Sequence, residues 1–201
     1  MQTNRNWAAT LCAALNRPEL EIRAATNDAT YDYLPQDEAT LLALNELYIC
    51  KRFLEYWDDR VIAIPATLAK LQNLRTLTIN RCKLPTVPAA IFQLVALREL
   101  TLVFDQLESI PAEIGQLKHL EILTLHANHL HTLPAEIGKL AQLKTLGLDD
   151  NRLTSLPPEI GALNKLQQLA LGDNNGLSEI PAGVFQLKNL QYLELVGNQC
   201  I

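Results

Sequence analysis

The side chains that could do chemistry are few, and their spacing forms neither a catalytic nor a metal-binding set. All four histidines fall between His119 and His131, which is not a recognised metal-ligand spacing, so we interpret them as surface residues. Asp149 and Asp150 are adjacent, and neighbouring residues of a strand point in opposite directions, which is poor geometry for acid–base work. The chain has no glycine-rich phosphate loop, and neither of its first two cysteines has a context that marks a nucleophile. We therefore expect no enzymatic activity, no metal and no cofactor.

Composition narrows the class of protein further. The chain has 201 residues, of which 48% are hydrophobic, and this is ample for one folded unit. A net charge of −5 argues against a nucleic-acid partner, which needs a basic surface. The four cysteines do not form a disulfide framework, and Cys82 and Cys200 are expected to pack inward. Because the cysteines do not form a disulfide framework, we expect a reduced, cytoplasmic setting. No apolar run is long enough to span a membrane.

One motif recurs along the chain with a period of 23 residues. In the copy that begins at Leu120, the spacing L-x-x-L-x-L-x-x-N-x-L is formed by Leu120, Leu123, Leu125, Asn128 and Leu130. The same pattern begins at Leu74, Leu97, Leu143 and Leu166, and at Leu190 after one extra residue. A period of this length is typical of a solenoid, in which stacked repeats bury a shared core.

Each repeat predicts one short strand and one short return path. The alternation Leu123, Thr124, Leu125 has period two, so one face of the strand is buried. Leu133-Pro134 ends the following turn, and Ile137 and Leu140 send apolar side chains inward from a return path that we expect to be only partly helical. The chain leaves the strand at a recurrent asparagine, whose amide can bond the turn backbone. That position holds Asp59, Cys82, Asp105, Asn128, Asn151, Asn174 and Asn198.

These spaced positions resemble the leucine-rich-repeat family over residues 51–201. The form LPxxIGxLxxLxxLxL is similar to the class found in plant Ras-group-related repeat proteins and in many bacterial repeat proteins and effectors. The resemblance implies an α/β fold: a curved solenoid with a parallel β-sheet on its concave side. It also implies partner binding on that side, usually of a protein, without naming the partner.

We expect residues 1–50 to form a helical N-terminal cap. Trp7, Leu11, Cys12 and Leu15 have helical spacing, which favours a packing helix over a membrane-surface helix because basic residues are scarce. A short strand follows at Leu20 to Ile22, and Asp37 can cap a second helix that runs to about Cys50.

Two registers compete for the first repeat. We favour one in which repeats start at 51, 74, 97, 120, 143 and 166, with a partial repeat from 190, because it needs no insertion. Its first strand is Phe53 to Trp57. In the other register the first strand is 46–50, and a seven-residue insertion precedes Ile64-Pro65.

The favoured register predicts which residues line the concave face. Aromatic and apolar residues gather there on the first four strands, over an area about 15 Å across. Three exposed aromatics supply roughly 450–750 Å², which approaches one side of a standard interface. The candidate partner-binding residues are Phe53, Trp57, Asn80, Val103, Phe104, Ile122, His126 and Asp149. In the alternative interpretation the N-terminal segment folds over these aromatics as part of the cap.

Charge is also unevenly distributed between the two rims of the predicted sheet. One rim carries Arg52, Arg75 and Arg98, and the opposite rim carries Asp149, Asp150 and Asp173. This polarity would orient a partner more than hold it, or it is an ordinary solvated surface.

Our first hypothesis is a non-enzymatic module that binds a protein partner on its concave face, without nucleic acid or membrane. The alternative is the recognition arm of a larger enzyme or of a secreted bacterial effector, which would place it inside a host cell. A third hypothesis is a homodimer through the C-terminal edge. The chain stops at Ile201 within a repeat, so we expect either a longer protein or an edge strand that pairs.

Overall fold

The computed structural model describes residues 7–18, 20–51, 61–174 and 176–199. The N-terminal segment contains helix α1 (Trp7–Leu15), strand β1 (Leu20–Ala25), strand β2 (Thr30–Tyr31) and helix α2 (Glu38–Ala43). The strands that follow are β3 (Glu46–Lys51), β4 (Thr76–Asn80), β5 (Glu99–Val103), β6 (Ile122–Thr124), β7 (Thr145–Gly147), β8 (Gln168–Ala170) and β9 (Tyr192–Glu194). They form one sheet in the order β2-β1-β3-β4-β5-β6-β7-β8-β9, parallel from β3 to β9.

The repeat leucines explain why these strands stack in register. Leu77 pairs with Leu100, and Leu100 pairs with Leu123, each at an offset of 23 residues. All three side chains are fully buried, and they line the interior together with the leucines of the return paths. A register slip of one residue would turn every leucine of a strand toward solvent. The 23-residue period therefore fixes the parallel pairing as predicted.

Short 3₁₀ helices form the return paths, as the prolines predicted. They span Ala66–Lys70, Ala89–Gln93, Ala112–Gln116, Ala135–Lys139, Pro158–Ala162 and Ala182–Gln186, and a proline precedes the first residue of each. Each of these prolines is the N-cap residue, with ψ between 128° and 158°, and its fixed φ limits how the chain enters the helix. The two phenylalanines of these helices differ in burial: Phe92 is buried in the core, whereas Phe185 is 70% exposed.

The N-terminal segment covers the first end of the solenoid. Helix α1 buries the four predicted residues, and the side chain of Asn16 ends it by exchanging two hydrogen bonds of 3.0 and 3.1 Å with the backbone of Leu34. Asp37 caps α2 by accepting from the Thr40 N–H at 2.8 Å, as predicted. Helix α2 ends at Ala43, however, and does not continue to Cys50.

The strand beside β4 corrects the favoured register. Parallel strand β3 occupies that place, with Leu47 opposite Leu77 and Ile49 opposite Ile79. Both β3 side chains are buried, and β1 pairs antiparallel with the other side of β3. The strand predicted at 53–57 is therefore not the neighbour of β4, and residues 52–60, with Phe53 and Trp57, lie outside the described residues. The alternative register was right because residues 46–50 also alternate buried and outward positions.

Buried asparagines bridge successive repeats at the strand ends. The Asn128 amide Nδ2 donates to the carbonyls of Leu102 and Leu125, both at 2.8 Å, and its Oδ1 accepts from the N–H groups of Asp105 and Leu107. Asn151 and Asn174 repeat this pattern one and two turns later. We call this row the asparagine ladder. It satisfies turn backbone that strand pairing leaves free, as predicted.

The described cysteines are free thiols packed among other residues. Cys12, Cys50 and Cys82 are all buried. Cys82 stands at an asparagine position with no exposed surface, and burial raises the pKa of its thiol to about 12. It therefore packs as a small neutral side chain, as predicted. Cys200 lies outside the described residues.

Candidate partner-binding surface

The outward side of the sheet, which is concave in a repeat solenoid, displays three columns of side chains. The central column consists of Tyr48, Thr78, Thr101, Thr124, Gly147, Ala170 and Glu194. One to three residues after each strand from β4 to β9, one residue takes a left-handed backbone conformation. These residues are Arg81, Phe104, Ala127, Asp150, Asp173 and Gly197, with φ between +52° and +78°. The left-handed step turns the chain sharply away from the sheet and projects the side chain beside the concave face.

Phe104 is the most prominent of these projecting residues. Its φ is +56°, and its side chain is 42% exposed although it is large and apolar. The ring packs edge-on against His126, with ring centroids 5.0 Å apart and an interplanar angle of 83°. The guanidinium carbon of Arg81 lies 4.7 Å from the centre of the same ring. We call these three residues the Phe104 cluster.

The structure brings Phe104 and His126 of the predicted set together, beside the end of β5, where Val103 is only 8% exposed. Ile122 opens β6 at the other end of the strands, where it is half-buried and pairs with Glu99. Asn80 pairs with Val103 across β4 and β5. Val103 therefore supports the neighbouring turn and offers little contact area of its own. Arg81 is absent from the predicted set, although its place directly after a strand is the same as that of Phe104.

Asp149 lies in the repeat after His126, where its carbonyl accepts a 3.0 Å hydrogen bond from the Ala127 N–H, and it begins the acidic part of the face. Its Oδ1 accepts a 2.9 Å hydrogen bond from the N–H of Gly172. A Cβ on Gly172 would lie 3.3 Å from Asp149 Oδ1 and 3.4 Å from Glu194 Oε1, so the two carboxylates flank that glycine. Tyr192 donates to Glu194 at 2.7 Å, and this hydrogen bond raises the pKa of the Tyr192 phenol. Because Gly147 has no side chain and Ala170 has only a methyl group, the surface is recessed in this part of the face.

The basic rim is partly neutralised by its own neighbours. Arg98 forms a 2.7 Å ion pair with Glu121, and Lys144 pairs with the same carboxylate. The hydrogen bond that Lys144 donates to Glu121, together with the one from Arg98, holds the pKa of Glu121 below its ordinary value. Uncompensated charge of the predicted pattern is therefore found mainly at the acidic end of the face. Arg52 lies outside the described residues.

Sequence reasoning missed a second concavity, at the N-terminal end of the face. A cavity of about 430 Å³ is lined by Arg23, Tyr31, Tyr48, Glu46, Thr76 and Thr78, among others. The Arg23 guanidinium carbon lies 5.8 Å from the centre of the Tyr48 ring, and a hydrogen bond with Cys50 helps raise the pKa of Tyr48 to about 12. The correct register would have shown Tyr48 in the central column.

The described residues show no grouping of three or more histidine, cysteine, aspartate or glutamate side chains that could hold a metal ion. Within the same part of the chain, none of the helices has the length and apolar character needed to cross a bilayer.

Two family models match the repeats. A model described as leucine rich repeat matches residues 97–153, and one described as leucine-rich repeat region matches residues 135–200. A comparison with curated proteins finds no match.

Solved structures of repeat proteins are similar to this chain. A leucine-rich-repeat protein of Leptospira interrogans is 41% identical, with a TM-score of 0.66 over 69% of this chain and 35% of its own. The plant peptide hormone receptor RGFR1 in complex with RGF2 is 30% identical, with a TM-score of 0.56 over 67% of this chain and 26% of its own. An internalin of Listeria monocytogenes is 24% identical, with a TM-score of 0.61 over 73% and 41%. The chain thus spans well under half the length of each.

Proposed function

Because this chain belongs to the leucine-rich-repeat family, we propose that it is a non-enzymatic module that binds a protein partner on its concave face. The similarity to a plant receptor that was solved with a bound peptide hormone supports a protein or peptide partner. The observation that carries the proposal is the Phe104 cluster, which holds an exposed aromatic ring beside the sheet.

Neither the turn nor the core requires a phenylalanine at position 104. A positive φ at a bulky residue costs about 1–3 kcal/mol and persists only where the surroundings impose it. The turn imposes it here, and Asp, Ala and Gly occupy equivalent positions in other repeats. The ring, which is 42% exposed, is not part of the buried core. An aromatic ring beside an arginine is a common anchor of protein interfaces.

The concave surface also constrains the chemistry of the partner. An apolar group would contact Phe104, while Asp149 and Glu194 lie two and four repeats farther along the sheet. Strand spacing of about 4.8 Å puts the acidic end roughly 10–20 Å from the Phe104 ring. We propose that the acidic end orients a partner whose neighbouring surface is basic, and that the aromatic ring supplies most of the affinity.

A quantitative pull-down tests this proposal. Wild type would be compared with Phe104→Ala and with Phe185→Ala, which removes an exposed phenylalanine from a return-path helix. We expect the same partner to be captured by wild type and by Phe185→Ala, and to be lost with Phe104→Ala. With the purified partner, Phe104→Ala should raise the dissociation constant about 30-fold, the effect expected when an interface anchor is removed. Equal affinity of the two variants would contradict the proposal.

Self-association through the edge strand β9 is a second candidate. Leu193 and Leu195 are half-buried, whereas their counterparts Leu169 and Leu171 are fully buried, and Val196 is 75% exposed. An edge strand with apolar neighbours can pair with another chain. Sedimentation from micromolar to millimolar concentration would show a reversible dimer, and a constant monomer mass would exclude it. As an alternative, we propose that the chain is the recognition arm of a larger enzyme or of a bacterial effector. It would then act in the cytoplasm or inside a host cell.

A further inference from the structure

The asparagine ladder contains one buried carboxyl group. Asp105 has no exposed surface and occupies the position that Asn128, Asn151 and Asn174 hold in later repeats. An asparagine amide has one acceptor oxygen and one donor nitrogen, and this position uses both. An ionised aspartate has acceptors only, so it can accept from the backbone N–H groups but cannot donate to the backbone carbonyls.

The two oxygens of Asp105 are not equivalent. Oδ1 accepts a 2.6 Å hydrogen bond from the N–H of Cys82, which lies 23 residues earlier. Asn128 Oδ1 makes the same bond with the N–H of Asp105, again at an offset of 23. Oδ2 of Asp105 therefore corresponds to the amide nitrogen of Asn128.

The corresponding nitrogen of Asn128 donates to backbone carbonyls three and 26 residues earlier, at Leu125 and Leu102. The same offsets from Asp105 give the carbonyls of Leu102 and Ile79. Oδ2 is buried and has no hydrogen-bond partner. Without a proton it would present a lone pair to carbonyl oxygens, and a buried unpaired charge is strongly unfavourable.

In the part of the chain that the structure describes, burial dominates the protonation of Asp105, and the interactions that oppose it are backbone hydrogen bonds. From the preceding repeat, the turn Arg81 to Lys83 packs against Asp105, and its Cys82 thiol is kept neutral by burial. From the following repeat the neutral amide of Asn128 faces it, with His126 and His129 on the same turn. Among the described residues, the groups that favour the ionised form of Asp105 are the backbone N–H groups of Cys82 and Lys83, and they do not outweigh desolvation.

We propose that Asp105 is a proton-dependent rung of the asparagine ladder: when protonated at Oδ2 it donates to the turn backbone, and when ionised it destabilises the joint between β4, β5 and their turns. Burial raises the pKa of this carboxyl to about 7. The proposal concerns the fold and does not depend on partner binding. It reaches the candidate surface nonetheless, because Asp105 directly follows Phe104 and its turn packs on the turn of Arg81.

The sign of the pH dependence follows from linkage. The unfolded carboxyl has a pKa of about 3.9, and the folded value is higher, so the folded state binds the proton more tightly. The stabilisation is complete below the unfolded pKa and is lost as pH rises toward 7. Over the middle of this range the contribution of Asp105 to the folding equilibrium constant falls about tenfold per pH unit.

A carbon-13 NMR titration of the Asp105 carboxyl in the full chain tests the proposal without any substitution. We expect a midpoint near 7. A midpoint below about 5 would overturn the proposal, because the carboxyl would then be ionised in the folded state under ordinary conditions.

Urea unfolding from pH 4.5 to 8 supplies the second measurement. Asp105→Asn restores the donor, so the ratio of its folding constant to that of wild type should rise about tenfold per pH unit up to about pH 6.5 and then level off. Asp150→Asn is the matched control, since it removes an exposed carboxylate from a left-handed position that asparagine tolerates. A ratio for Asp105→Asn that is as flat as that of Asp150→Asn would also overturn the proposal.

Discussion

The ring of Phe104 rests edge-on against the imidazole of His126, with their centroids 5.0 Å apart, although the two residues lie in successive repeats. His126 follows β6 and Phe104 follows β5, so the stacking of repeats creates the contact. An edge-on aromatic pair prefers this separation and contributes about 0.5–1.5 kcal/mol beyond area burial. The contact therefore holds an exposed ring in one orientation before any partner arrives.

Removal of His126 should weaken partner binding indirectly. In His126→Ala the Phe104 ring loses its edge contact, so we expect a loss of affinity smaller than that of Phe104→Ala. A double-mutant cycle measured by calorimetry with the partner should give a coupling of about 1 kcal/mol between the two residues. His131→Ala is the control, because His131 is exposed and follows the inward-facing Leu130. Strictly additive effects of Phe104→Ala and His126→Ala would contradict this role.

Loss of a ladder asparagine should destabilise the fold strongly. Asn151 donates to the carbonyls of Leu125 and Leu148 and accepts from the N–H of Leu130, all in the interior. Asn151→Ala leaves these groups unsatisfied, so the free energy of unfolding should fall by about 3 kcal/mol in urea titrations. Asn164→Ala removes an exposed amide and should cost less than about 0.5 kcal/mol. Similar losses in the two variants would show that the ladder is not a major source of stability.

Close packing of the return paths should make one glycine irreplaceable. A Cβ on Gly138 would lie 2.5 Å from the backbone oxygen of Glu159 in the next repeat. Gly138→Ala should therefore force the two 3₁₀ helices apart and lower the free energy of unfolding by about 1–3 kcal/mol. Gly147→Ala is the control, because its Cβ would meet Thr124 Cγ2 at an ordinary 3.5 Å. Equal melting temperatures for Gly138→Ala and wild type would contradict the argument.

The cap of helix α2 should depend on pH in the direction opposite to Asp105. Hydrogen bonds from Thr40 lower the pKa of Asp37, so its stabilisation is present above the unfolded pKa and is lost as pH falls through the lower folded value. Asp37→Ala should lower the melting temperature at neutral pH and make little difference in strong acid. Asp37→Asn keeps a capping oxygen and should stay close to wild type at neutral pH. Equal melting temperatures for Asp37→Ala and wild type at neutral pH would exclude a stabilising cap.

Much of the candidate surface followed from the sequence once the repeat had been aligned. The positions of Phe104, Ile122, His126 and Asp149 depend only on the 23-residue period, and the structure places them on or beside the outward face as expected. The T-shaped contact and the Arg81 stacking could not be predicted, because they depend on the left-handed step after each strand.

The sequence alone determined the family, the period, the inward leucines and the ladder, because each repeat carries its own local pattern of apolar and polar residues. Only the tertiary structure decided where the repeats begin. Two registers had nearly the same local pattern, and we favoured the one that needs no insertion. That preference was wrong because a seven-residue insertion costs little loop-closure entropy. The choice depends on long-range pairing, in which β3 lies between β1 and β4 and buries Leu47 and Ile49 on the shared core.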